Sequence, residues 1–246
     1  MWRSGSASPC QGEGREFNPR LSLKWPVRLT VRTPGFHPGN RSSILLRATR
    51  ILLMKLYVAP PRGKLEKIAY QQWFENYGHE LVWLDLRYKV KGPLVLCGGA
   101  DIGKDPDRDA KEFIWIQQAL DGDHKILGIC RGMQILNEFF GGTVEDINES
   151  IVEDHKAGDF AEDVDHSGKP SQYHIVQDLE GNLTNVNSRH HQHCVKIAAN
   201  FETTHISYPV HSIIEGFQDE AKKIWAVQWH PERMESDDNE YPLSKL

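Results

Sequence analysis

The sequence predicts an α/β protein in which an open parallel sheet is covered by helices on both faces, with a small antiparallel β addition in its C-terminal half. The first observation is that short apolar runs alternate with segments of helical spacing between residues 54 and 142, as in parallel sheets joined by helices. The second is that the strand-like segments after residue 143 are shorter and contain more polar residues. The third is the composition, 39% hydrophobic and 26% charged, which is typical of a chain with a buried core.

The elements follow from these patterns in chain order. Strands are predicted in the first part at residues 55–59, 81–84, 93–96 and 125–129. Helices are predicted at residues 65–77, 110–120 and 131–140. The last helix ends at Gly141, where glycine can adopt the left-handed conformation that closes a helix. The C-terminal strands are predicted at residues 173–177, 195–198, 205–208 and 224–229.

Residues 1–53 differ from the rest of the chain in charge and composition. They hold nine Lys and Arg against two Asp and Glu, a net charge of 9 − 2 = +7, which leaves −12 for residues 54–246 if the total is −5. They also contain five Pro and five Gly without a period that would bury a face. We expect no domain here. The stretch is disordered, is upstream sequence before a true start at Met54, or is a transit peptide or functional arm. Residues 54–246 are expected to form one domain.

The bulk properties exclude several classes of function. The net negative charge of residues 54–246 argues against nucleic-acid binding, because that affinity comes from Lys and Arg side chains that neutralise phosphates. No apolar run reaches the roughly 18 residues that a membrane span needs, so no membrane partner is expected. The four cysteines, Cys10, Cys97, Cys130 and Cys194, show no paired spacing, which favours free thiols and a cytoplasmic location.

The strongest functional signal is Cys130, which lies between Gly128 and Gly132 at a predicted strand-to-helix junction. A turn this tight requires small residues two positions before and after the nucleophile, and it holds the nucleophile in a strained backbone conformation. The N-terminus of the following helix favours a thiolate. We therefore predict that Cys130 is a nucleophile rather than a buried core cysteine.

A second signal is His230, which follows a predicted strand and precedes Pro231 and Glu232. In an extended segment residues i and i+2 point the same way, so the sequence predicts that the Glu232 carboxylate holds the His230 ring. The other ring nitrogen would then accept the Cys130 proton. These three residues are the predicted catalytic group.

Two further motifs supply candidate substrate contacts. Gly98 and Gly99 end a predicted parallel strand, at the sheet edge where ligands bind, and an N–H of either could join the N–H of Arg131 in an oxyanion hole. Residues 186–194 include His190 and His191, which we assign to polar substrate contacts. A zinc site is the alternative, but a second ligand cluster of suitable spacing is missing.

These motifs, in this order, resemble the class I glutamine amidotransferase superfamily, and within it the γ-glutamyl-γ-aminobutyrate hydrolases and related γ-glutamyl hydrolases. The resemblance rests on residues 128–134, 186–192 and 228–232 and covers about residues 55–235. It implies a flavodoxin-like fold, a thioester on Cys130 and no metal or organic cofactor. It also places Gln134 on the glutamyl part of the substrate. Cys97 and Ala100 depart from the residues common in the family, so the leaving group is not carried over.

The sequence therefore predicts cysteine-dependent hydrolysis of a γ-glutamyl amide bond, either in glutamine or in a γ-glutamyl conjugate of small-molecule size. One alternative is a glutaminase subunit that delivers ammonia to a separate synthetase. Another is a non-catalytic binding module on the same fold. A protein partner would be such a synthetase or a second copy of this chain.

Overall fold

The described residues start at Met54, where the sequence pattern becomes regular. The computed structural model describes residues 54–148, 172–209, 213–234 and 242–246. The expectation for residues 1–53 lies outside the described residues. Three α-helices are described: α1 Lys64–Asn76, α2 Pro106–Asp121 and α3 Arg131–Phe139. Short 3₁₀-helices span Pro231–Arg233 and Leu243–Lys245.

Eleven strands accompany these helices in the described residues. Their bounds are β1 Lys55–Ala59, β2 Glu80–Trp83, β3 Leu94–Leu96, β4 Ile126–Ile129, β5 Thr143–Asp146, β6 Gln172–Asp178, β7 Leu183–Ser188, β8 Gln192–Lys196, β9 Glu202–Tyr208, β10 Ile214–Asp219 and β11 Ile224–Val227. Nine of them form one sheet in the order β2-β1-β3-β4-β11-β10-β9-β6-β7, and β5 pairs with β8 in a separate ribbon.

The large sheet has a parallel half and an antiparallel half. Strands β2, β1, β3, β4 and β11 are parallel neighbours. Strands β10, β9, β6 and β7 continue the same sheet with antiparallel pairing. The predicted fold class is therefore confirmed, but the antiparallel part is larger than expected. Strands β5, β7 and β10 were not predicted, because their sequences mix polar and apolar residues without a sustained apolar run.

Helices cover both faces of the parallel half. Residues of α2 and α3, including Trp115 and Met133, pack in one apolar cluster, and residues of α1, including Tyr70 and Phe74, pack in a second. On β4, Ile126 belongs to the first cluster and Leu127 to the second, because successive strand residues face opposite sides. Each large apolar side chain buried in this way contributes about 1.5–3 kcal/mol.

Helix α2 begins one turn earlier than the sequence pattern predicts. Asp105 precedes the helix, and its carboxylate accepts a hydrogen bond from the Arg108 N–H at 3.2 Å. Pro106 occupies the first turn, where its missing N–H costs nothing. The predicted start at Ala110 overlooked this cap, so Arg108 and Asp109 lie on the helix rather than in a loop.

The helices of the described residues include none with the length and apolar character needed to cross a bilayer.

Candidate active site

Cys130 lies in the tight turn between β4 and α3, as the sequence predicts. Its backbone has φ 53° and ψ −109°, a left-handed φ that costs a non-glycine residue about 1–3 kcal/mol. The flanking glycines are required by close packing. A Cβ at Gly132 would lie 2.1 Å from the Leu96 carbonyl oxygen, and one at Gly128 would lie 2.6 Å from the Gly132 carbonyl oxygen.

His230 follows β11, the strand that pairs with β4, and therefore reaches the nucleophile. The His230 Nδ1 lies 2.7 Å from the Glu232 Oε1, and the His230 side chain also hydrogen-bonds the Cys130 side chain. The three predicted catalytic residues are thus in one chain of contacts. The predicted reason for the His230–Glu232 contact was wrong, since Glu232 lies in the 3₁₀-helix Pro231–Arg233 rather than in an extended segment.

The charges in this group favour a protonated imidazole. Burial lowers the pKa of His230, but the charges of Glu232 and Cys130 and the hydrogen bonds to both raise it to about 10. Burial raises the pKa of Glu232, but the charge and hydrogen bond of His230 lower it by more, so that the net pKa falls. The arrangement therefore suits an imidazolium held between a carboxylate and a thiolate.

Asn187 on β7 fixes the His230 backbone from the antiparallel half of the sheet. The His230 N–H donates to the Asn187 Oδ1 at 2.8 Å, and the Asn187 Nδ2 donates to the His230 carbonyl at 2.8 Å. Asn187 is fully buried. It lies inside the predicted motif 186–194, but its side chain was not assigned a role.

The loop after β3 supplies candidate oxyanion donors. The Gly98 N–H donates to the Tyr70 hydroxyl at 3.0 Å, so it is already engaged. The N–H groups of Gly99 and Arg131 have no acceptor in the part of the chain that the structure describes. Of the two glycines, Gly99 is therefore the one that can act with Arg131.

Tyr70 was not predicted as a site residue. It lies on α1 with its side chain fully buried, and burial, with the charge of Glu232, raises the pKa of its phenol well above the usual value. The hydroxyl therefore stays protonated. The helical spacing of α1 predicts burial at this position, but it does not reveal a polar contact with a distant loop.

Two clefts meet at this group. The first is lined by Cys130, Gln134, His190 and His191, among others, so the predicted substrate contacts lie together. Gln134 Nε2 donates to the Gln192 carbonyl at 3.0 Å, which ties α3 to the loop that carries the histidines. The His190 ring is buried, and its Nδ1 lies 2.9 Å from the same carbonyl.

The second cleft is bordered by His230. Its lining includes Glu66, Tyr70, Gly99, His230 and Arg233. Gly99 also lines the first cleft, so the two meet beside the candidate oxyanion donors. One cleft is thus bordered by Cys130 and the other by His230.

The zinc alternative requires several metal-binding side chains close together. In the described ranges, no group of three or more His, Cys, Asp or Glu side chains is arranged to hold a metal ion. Cys194 belongs to the apolar cluster with Trp115, where it packs as a core residue.

Solved structures share this fold. A GMP synthase subunit protein from Thermoplasma acidophilum aligns with a TM-score of 0.58 and 20% identity over 78% of this chain and 92% of that one. A glutamine amidotransferase from Thermotoga maritima aligns with a TM-score of 0.54 and 16% identity over 73% and 76%. The fold is that of glutamine amidotransferases.

Sequence comparison identifies the family. The peptidase C26 profile matches residues 99–232, which is more than half of the chain. The chain therefore belongs to the peptidase C26 family of glutamine amidotransferase-like proteins. YvdE of Lactococcus lactis, named as glutamine amidotransferase-like, is 30% identical over 65% of this chain and 77% of that protein. The glutamine amidotransferase homologue PB2B2.05 of Schizosaccharomyces pombe is 32% identical, and the match spans 56% of this chain and 61% of that protein.

Proposed function

We propose that the protein hydrolyses a γ-glutamyl amide bond through a thioester on Cys130. The observation that carries the proposal is the hydrogen-bonded chain Cys130–His230–Glu232 at the junction of two clefts. This is the arrangement of an activated nucleophile, a base and a group that orients the base. Membership of the peptidase C26 family supports it.

The proposed reaction has two steps. The Cys130 thiolate attacks the γ-carbonyl carbon, and the N–H groups of Gly99 and Arg131 bind the oxyanion. His230 then gives its proton to the amide nitrogen, the C–N bond breaks, and the amine leaves. In the second step His230 takes a proton from water, the hydroxide attacks the thioester, and the released thiolate regains its imidazolium partner.

The two clefts suit the two halves of such a substrate. The first is lined by Asp101 and Arg189 as well as Gln134, and opposite charges on its walls suit the amino and carboxylate groups of a glutamyl residue. The second borders His230, the group that would protonate the leaving amine. We assign it to the amine and to the attacking water.

A second candidate is a glutaminase subunit that passes ammonia to a synthetase. It is favoured by the fold shared with the GMP synthase subunit protein. Under this proposal glutamine is the substrate, and its hydrolysis increases when the partner is added. Under the first proposal a γ-glutamyl conjugate is cleaved without a partner.

The test is a hydrolysis screen of the purified full chain against glutamine, γ-glutamyl-aminobutyrate, γ-glutamyl peptides and γ-glutamyl nucleotides. We expect Cys130→Ser to lose at least about 1,000-fold in kcat, because the hydroxyl is a far weaker nucleophile, with an unchanged circular dichroism spectrum. The buried Cys194→Ser variant is the matched control and should retain activity. A fully active Cys130→Ser variant would contradict the proposal.

A further inference from the structure

Arg108 contacts the loop that carries the candidate oxyanion donor. It lies on the first turn of α2 with its side chain 13% exposed. Its Nη2 donates to the Gly98 carbonyl at 3.0 Å and to the Cys97 carbonyl at 3.3 Å. The guanidinium therefore holds two consecutive peptide groups of this loop. Arg108 was not among the site residues predicted from the sequence.

These contacts set the direction of the Gly99 N–H. The Gly98–Gly99 peptide is trans, so its carbonyl and its N–H point in opposite directions. With the Gly98 carbonyl held by Arg108, the Gly99 N–H is directed away from the guanidinium. Tyr70 holds the preceding peptide through the Gly98 N–H at 3.0 Å. The loop is therefore clamped by Arg108 and Tyr70.

Gly99 packs against the same guanidinium. A Cβ at this position would lie 2.0 Å from the Arg108 Nη1, at the far end of a long side chain, so another residue here would displace the guanidinium. Glycine at position 99 is therefore compatible with the contacts that Arg108 makes to the loop.

A buried carboxylate extends the contact to the second donor. Glu112, with a fully buried side chain, accepts from the Arg108 Nε at 2.9 Å and also from the Arg131 Nη1. Asp109 accepts from the Arg131 Nη2. Two arginines and two carboxylates thus form one buried network. Such networks carry a desolvation cost that often cancels their attraction, so stability alone does not account for it.

We propose that Arg108 is a positioning residue for the oxyanion hole, and that Glu112 couples it to Arg131. The network sets the Gly99 and Arg131 N–H groups, which flank Cys130, in a fixed relation before the substrate binds. This inference rests on the proposed hydrolase function. Because an oxyanion exists only in the transition state, loss of its alignment lowers kcat more than it changes KM.

The experiment compares Arg108→Gln and Arg108→Lys with wild type in the full chain, with glutamine and γ-glutamyl p-nitroanilide as probes. We expect Arg108→Gln to lower kcat by about 10- to 100-fold, less than the complete loss of a donor, with KM within about threefold. Lysine keeps the charge but cannot bind Glu112 and both carbonyls together, so its kcat should be intermediate. Arg87→Gln, an exposed arginine paired with Asp85, is the matched control and should equal wild type.

Alkylation of Cys130 by iodoacetamide separates positioning from a folding defect. In that reaction a C–S bond forms, iodide leaves, and no oxyanion develops, so Arg108→Gln should react within about twofold of wild type. Wild-type kcat in Arg108→Gln, or equal losses of alkylation and turnover, would overturn the inference alone. A wild-type protein that hydrolyses neither these probes nor any substrate of the hydrolysis screen would overturn the proposed function, and with it the inference that rests on it.

Discussion

At the scale of single residues, the candidate site depends on how Glu232 acts on His230. The carboxylate lies 2.7 Å from the ring nitrogen that does not face Cys130, and its charge is the largest of the influences that raise the pKa of His230 to about 10. In the proposed mechanism the imidazolium protonates the leaving amine. Activity should therefore persist to alkaline pH and fall as His230 loses its proton near pH 10.

Glu232→Gln tests this dependence. Without the carboxylate charge the pKa of His230 falls, so the alkaline limb of kcat/KM for glutamine should move to lower pH by at least about one unit, with at least about a tenfold loss of kcat/KM at about pH 8. The pH–rate profile measures both effects. Glu75→Gln, an exposed carboxylate that bonds only Gln71 among the described residues, is the control. Superimposable alkaline limbs for Glu232→Gln and wild type would refute this role.

The sequence was sufficient to predict which residues meet at the candidate site, but not those that hold them in place. Gly128, Cys130 and Gly132 follow one local rule of turn geometry, and His230 with Glu232 follows from short spacing. Tyr70 and Arg108 act on a loop that is distant in sequence, at 28 and 10 positions from Gly98. Their roles depend on helix placement. Only the Arg108–Glu112 spacing of four, which places both on one helix face, was a usable signal.

At the scale of elements, β7 connects the antiparallel half of the sheet to the candidate site. Its residue Asn187 makes two hydrogen bonds to the His230 backbone, at a position where the chain leaves β11 and enters the 3₁₀-helix Pro231–Arg233. β7 was not predicted as a strand because its sequence is largely polar. That polarity has a structural reason, because the strand presents the buried Asn187 amide to the His230 backbone.

Replacement of Asn187 by Ala should reduce both stability and activity. It removes two hydrogen bonds and leaves the buried His230 N–H and carbonyl unpaired, at a cost of about 2 kcal/mol in the free energy of unfolding. We expect kcat to fall more than KM changes, because His230 loses its fixed orientation. Urea unfolding and steady-state kinetics measure the two effects. The exposed Asn185→Ala on the same strand is the control, and identical behaviour of the two variants would exclude a positioning role for Asn187.

At the scale of the whole molecule, the parallel and antiparallel halves share one apolar cluster. Phe201 and Phe217, from the antiparallel half, stack with ring centroids 4.2 Å apart. They belong to the same cluster as Trp115 and Met133, from the helices that cover the parallel half. A continuous sheet and a shared core indicate that the two halves lose their structure together. The two halves that the sequence pattern suggested therefore differ in strand direction, but they are not separate folding units.

Phe217→Ala is the test of this coupling. The side chain is 1% exposed, and removal of a buried ring costs about 3–5 kcal/mol, which lowers Tm by about 10 °C for a chain of this size. If the core is shared, tryptophan fluorescence and far-ultraviolet circular dichroism should report the same lowered Tm, and loss of glutamine hydrolysis on heating should follow the same curve. The partly exposed Phe113→Ala should shift Tm far less. A variant whose antiparallel half melts first, with two separate transitions, would show that the halves are independent, because a shared core cannot lose one side and leave the other intact.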